Sequence, residues 1–122
     1  MKQSIAHIAL VVADYDEAIT FYTEKLGFDL IDDTPQSETK RWVLVAPKNS
    51  EGCQLLLAKG VGDEQQRRIG NQTGGRVFLF LRTDDFSHDY EDYLSKGVKF
   101  VREPKVEEYG TVAVFEDLCG NL

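Results

Sequence analysis

The alternation of apolar and polar positions changes period several times along this chain, and each change marks an element. Residues Ile5 to Val12 alternate as a strand does, with Ile8, Leu10 and Val12 on one face and His7, Ala9 and Val11 on the other. The period then lengthens. Ala18, Ile19, Tyr22 and Leu26 recur at helical spacing, behind a cap at Asp14 or Asp16 and ahead of a stop at Gly27. Three short strand-like runs follow: Phe28 to Asp32, Arg41 to Ala46 and Cys53 to Ala58, with Pro47, Asn49 and Gly52 as turn signals between the last two. Lys59 to Gly75 has no periodic apolar face and predicts a linker carrying a short helical piece.

After the linker the order repeats. "VFLFLRTDDF" predicts a strand followed by an Asp cap. "FSHDYEDYLSKG" predicts a helix with Phe86, Tyr90, Tyr93 and Leu94 on one face and Gly97 as its stop, and "VKFVREP" and "GTVAVFED" predict two more strands. The offset is about 70 residues, matching Gly27 to Gly97 and "VLVAP" to "VAVFED". This is an internal duplication: module 1 at about 1–59, a linker at about 60–75 and module 2 at about 76–122. The last strand of the second copy would start near Asn121. An unpaired edge on "GTVAVFED" is therefore expected, covered either by residues beyond Leu122 or by a neighbouring chain.

Composition narrows the function classes. A chain of 122 residues fits one compact domain or two small halves sharing a core. Its 14 Lys and Arg against 21 Asp and Glu give a net charge of −7, which repels phosphate backbones and anionic lipid. Neither nucleic acid nor membrane is expected as a partner. No apolar run approaches the roughly 20 residues that span a bilayer, and "MKQSIAH" has no signal-peptide core. The two cysteines, Cys53 and Cys119, are expected as free thiols in a reducing, cytoplasmic setting.

Three stretches carry a likeness: "HIALVVADYDEAITFYTEKLGF", "LFLRTDDFSHDYEDYLSKGVKF" and "GTVAVFEDLCGN". Together they resemble the vicinal oxygen chelate superfamily of glyoxalases, bleomycin resistance proteins and ring-cleaving dioxygenases, over nearly the whole chain. The resemblance implies an α+β fold of two βαβββ modules, whose sheets cup a cavity with the helices outside. His7 and Ala9, like Phe78 and Phe80, would face that cavity; Ile8, Leu10 and Val12, like Val77, Leu79 and Leu81, would lie beneath the helices.

Metal-dependent members of the superfamily hold one divalent ion with side chains from the first and last strands of each module. His7 stands at the first of those places. Gln54 stands where the family usually has Glu, and a shifted register would offer only Leu56. A neutral amide oxygen is a poorer partner for a divalent ion than a carboxylate. Phe78, or Val77 by the 70-residue offset, occupies the place of the second His, and the fourth place falls beyond Leu122. Catalysis needs about three protein ligands and an open position. The expectation is therefore no cofactor; if Zn, Ni, Mn or Fe were held, His7 would be a ligand and Gln54 the weaker candidate. Otherwise His7 is a wall residue bonded to Gln54 or to backbone.

Other chemistry finds little support. Neither cysteine has an obvious His beside it to act as base. His88 reads as an exposed helix residue, Arg67-Arg68 as a solvated surface, and Asp32, Asp33, Glu116 and Asp117 as solvated charges at strand ends. "GNQTGGR" lacks the spacing of a phosphate loop. The residues expected to bind a ligand are His7, Gln54, Trp42, Phe78 and Phe80, with Arg76 or Arg82 at the rim. The favoured reading is a metal-independent homodimer that binds or sequesters a small aromatic or amphipathic molecule. Its rivals are a lactoylglutathione lyase-like or dioxygenase-like enzyme using His7 and a divalent ion, and an interaction domain with a vestigial cavity.

Overall fold

A computed structural model describes residues 1–122. The first strand, β1 (His7–Val12), leads to Asp14, whose carboxylate accepts the Glu17 N–H at 2.9 Å and starts α1 (Tyr15–Thr20). The helix runs on into one π-helical turn, Phe21–Lys25, in which the Leu26 N–H reaches back to the Phe21 carbonyl at 3.1 Å. Gly27, at φ +76°, then reverses the chain in a conformation that favours glycine. Strands β2 (Asp29–Pro35), β3 (Arg41–Ala46) and β4 (Gln54–Lys59) complete a sheet in the order β1-β4-β3-β2. β4 runs parallel to β1, with His7 opposite Gln54 and Val12 opposite Lys59, and antiparallel to β3.

Alternation then sorts the side chains. Leu10 and Val12 of β1, Val43 and Val45 of β3, and Leu55 and Leu57 of β4 are buried against Ala18, Phe21, Tyr22 and Leu26 of the helical segment. The expected helix-side face of β1 is thus observed, except that Ile8 at its outer end is exposed. The linker forms α2 (Gly62–Arg68), which buries no residue.

Module 2 differs from expectation at its start. Residues 77–82 join no ladder, although "VFLFLR" has the composition of a strand. In module 1 the ladder of β1 is supplied by β4; here no strand of residues 1–122 occupies that place, and one bond, Phe78 N–H to the Leu122 carbonyl at 3.2 Å, is all that forms. Strand propensity without a partner does not make a strand. α3 (Phe86–Ser95) is capped by Asp85, which accepts the His88 N–H at 3.2 Å, and β5 (Lys99–Glu107) pairs with β6 (Gly110–Glu116) as a separate two-stranded sheet. Tyr93 is buried, and Phe86 and Tyr90 are half-buried, but Leu94, expected on the same face, is exposed.

Two polar joints hold the modules together, and a third ties the linker to β1. The Tyr22 hydroxyl donates to Asp117 Oδ2 at 3.0 Å, while Asp117 Oδ1 accepts the backbone N–H groups of Cys119, Gly120 and Asn121, each at 3.0 Å. Asp117 is therefore a buried turn organiser, not the solvated strand-end charge its position suggested. The Tyr93 hydroxyl donates to the Leu26 carbonyl at 3.1 Å. Gln72, from the linker, accepts the Val11 N–H at 2.8 Å and donates to the Ala9 carbonyl at 2.9 Å, so one side-chain amide satisfies the outer edge of β1. Gly70 lets the linker pass this close, since a Cβ there would overlap the Cys119 carbonyl.

Candidate functional site

The face of the first sheet turned away from α1 carries His7, Ala9 and Val11 from β1, Gln54, Leu56 and Ala58 from β4, and Trp42, Leu44 and Ala46 from β3. The register sets His7 directly beside Gln54. Trp42, whose facing the sequence left open, lies on this same side: its indole meets the His7 ring edge-on, with centroids 5.8 Å apart and planes 77° apart. His7 makes this aromatic contact; no hydrogen bond joins its ring to Gln54 or to backbone.

The anchoring of Trp42 was not legible beforehand. Its neighbour Arg41 binds Asp33 through Nε at 3.0 Å and Nη2 at 2.6 Å, reaches Asp16 through Nη1 at 2.9 Å, and lies over the Tyr15 ring at 5.2 Å. The Tyr15 hydroxyl in turn accepts the Arg41 backbone N–H at 3.2 Å. The guanidinium beside Asp33 holds that carboxyl below the usual range. Only proximity of Arg41 to Trp42 in sequence could have hinted at this support.

The other expected residues fall elsewhere. Phe78 is half-buried against the main core, Phe80 is 87% exposed, and neither forms an aromatic pair with His7 or Trp42. Arg76 and Arg82 are both exposed. The His7 face is an open sheet surface in a single chain, with His7 itself exposed. An apolar hollow lies under α3, lined by residues including Leu81, Tyr90, Phe100 and Phe115.

The donor set does not fit a divalent metal. His7 is flanked by Gln54 and Trp42, and no group of three or more His, Cys, Asp or Glu side chains converges anywhere in the chain. Nor does a nucleophile present itself. Both cysteines are free, and burial pushes the Cys119 thiol up, away from the reactive thiolate. Burial, then the charge of Asp117, likewise raises Tyr22 far above the ordinary phenol range, so it serves as a donor and not as a base. No helix is long and apolar enough to cross a membrane.

What the arrangement offers is an aromatic edge, an amide and an apolar floor. The model of the Glyoxalase/Bleomycin resistance protein/Dioxygenase superfamily matches residues 4–122. An uncharacterized protein of Shewanella frigidimarina (strain NCIMB 400) is 65% identical over 123 residues, which is 100% of this chain and 91% of that one. The crystal structure of UcmS2 superposes with a TM-score of 0.84 at 34% identity, covering 99% of this chain and 95% of its own. That of TnmS3, an antibiotic binding protein from Streptomyces sp. CB03234, does so with a TM-score of 0.77 at 31% identity, covering 98% and 91%.

Proposed function

The chain belongs to the Glyoxalase/Bleomycin resistance protein/Dioxygenase superfamily, and from that premise we propose that it binds and sequesters a small aromatic or amphipathic molecule without a metal. The observation that carries this reading is the His7–Trp42 pair on an open sheet face, with Gln54 beside it as a polar handle and too few ligating side chains for an ion. The likeness to an antibiotic binding protein supports the same reading. A second copy of the chain, forming a homodimer, would supply the wall that this face lacks, with Phe80 and Arg76 available at the exposed margin.

Trp42 is the sole tryptophan, so its fluorescence reports on this face directly. Titration with planar aromatic compounds should quench it saturably and raise the melting temperature, by about 2.7 kcal/mol of added stability at a hundredfold excess over Kd. His7→Ala should weaken both responses about tenfold. Near-stoichiometric uptake of Zn²⁺, Ni²⁺, Mn²⁺ or Fe²⁺, abolished by His7→Ala, would overturn the reading in favour of a metal-dependent lyase, isomerase or dioxygenase. Silence of the indole toward every compound would leave an interaction domain.

A further inference from the structure

Strand pairing orders the open face of the first sheet into rows. Ala9 lies opposite Leu56, Leu56 opposite Leu44, and Leu44 opposite Asp32, so an apolar row ends at β2 in a carboxylate. His7 and Trp42 each stand two residues before a member of this row, on strands that run in opposite directions. They therefore flank the row from its two sides, and their rings meet across it with centroids 5.8 Å apart. Asp32 belongs to this face and not to the helix side: its Oδ1 accepts the hydroxyl of Thr34, which lies opposite Trp42, at 2.6 Å. A bulge at Ile31 brings Asp29, opposite Ala46, to the same face, although residues three apart in a regular strand point opposite ways. No strand position on this face holds Lys or Arg. Arg41 turns to the helix side, where Asp16 and Asp33 bind it, and Lys59 stands opposite Val12 on that side too. Asp32 is half-buried and forms no ion pair.

We infer that the ligand of this face is a cation, an aromatic or amphipathic molecule carrying an ammonium or guanidinium group, and that Asp32 is the residue that selects it. The inference rests on the aromatic-binding reading of the same face and adds the sign of the ligand's charge. Two features recognise a cation independently. The indole attracts positive charge over its ring more strongly than any other aromatic side chain. A half-buried carboxylate without a counter-ion gains a charge-assisted hydrogen bond. Diagonal neighbours across a strand pair lie roughly 7–8 Å apart, as Asp32 and Trp42 do in the register, so a ring resting on the indole holds an ammonium one or two carbons away within reach of Asp32. An anionic ligand would instead meet Asp29 and Asp32 with no Lys or Arg of the face to offset them. The net charge of −7 draws cations toward the molecule from further away.

The test uses the whole chain and a set of probes that share one ring and differ in charge: 1-naphthylmethylammonium, 1-naphthalenemethanol and 1-naphthoate. Binding is followed by NMR through the indole N–H of Trp42, the sole tryptophan. The cation should bind about tenfold more tightly than the alcohol, and the naphthoate more weakly than either. Asp32→Asn keeps an oxygen for the Thr34 hydroxyl; it should cut the affinity for the cation about fivefold and leave that for the alcohol unchanged. Glu24→Gln makes the same change of charge at an exposed position of the helical segment and should leave the preference intact, which separates Asp32 from the net charge. Equal binding of the three probes, tightest binding of naphthoate, or a cation preference that survives Asp32→Asn would overturn the inference and leave aromatic binding standing. An indole resonance unmoved by all three would overturn both.

Discussion

In module 1 the strand between β1 and β3 delivers Leu55 and Leu57 to the underside of the helix; in module 2 nothing stands between residues 77–82 and β6, and α3 covers a hollow. The consequences run through the whole molecule. All the buried hydrophobic residues except Tyr93 and Val98 come from module 1. Module 2 carries a run of aromatic rings: Phe86 stacks on Tyr90, and Tyr90, Phe100, Phe115 and Tyr93 continue as edge-on contacts. Within residues 1–122 the buried core is thus concentrated in module 1.

The largest expected effect comes from truncating one core side chain in each module. Leu57→Ala, at a fully buried site, should lower the unfolding free energy by about 2–5 kcal/mol. Phe115→Ala, half-exposed beside an existing cavity, should cost about 1–2 kcal/mol despite deleting the larger side chain. Equal losses in urea titrations would show that the two cores are equivalent after all.

The next prediction concerns the joint between the halves. Tyr22→Phe removes the hydroxyl that reaches Asp117, while Asn121 Nδ2 still donates to the same oxygen at 3.1 Å. The expected cost is about 1–3 kcal/mol, seen as one shifted transition in both modules. A transition shifted only in module 2 would mean that the halves melt independently.

Alkali gives a smaller, graded effect. Burial pushes Tyr93 up to about 12, and Tyr22 further. Both phenols are favoured in the neutral form by folding, so their contribution is intact below about pH 10 and is lost as the pH climbs toward 12. The urea midpoint should hold steady up to about pH 10 and then fall, with phenolate absorbance from these two rings appearing only on unfolding. A midpoint unchanged to pH 12 would contradict it.

The smallest effect belongs to the surface. Asp33→Asn breaks the two-bond contact with Arg41, an exchange worth about 0.5–1 kcal/mol at a partly solvated site. Since the Asp33 pKa is lowered on folding, its contribution is present above about pH 4 and lost as the pH falls through the depressed value. Wild type and Asp33→Asn should therefore converge in acid; a constant gap down to the lowest pH would rule the contact out as the cause.

How much was legible beforehand follows from the same contrast. Helix caps at Asp14 and Asp85, the turn glycine Gly27 and the apolar faces of β1 and α1 are local signals, and they hold in the structure. Residues 77–82 look like a strand by the same local signals, yet a ladder is a property of two segments, and the second is not adjacent. Asp117 reads as a solvated end charge until the Gly120–Asn121 turn folds its amides onto it. At the candidate site, His7 and Gln54 were paired by position alone. The contribution of Trp42 needed the β3 register, which no periodicity supplies for a strand with buried residues on both faces.

Arg41 acts on its neighbour Trp42 through the backbone they share. Held by carboxylates from the first helix and β2, and resting on Tyr15, it fixes the backbone from which the indole springs before any guest arrives. A wall that stands ready asks no ordering of its visitor, so selection at this surface would turn on outline: flat molecules that match the waiting ring stay, and those requiring it to swing aside leave.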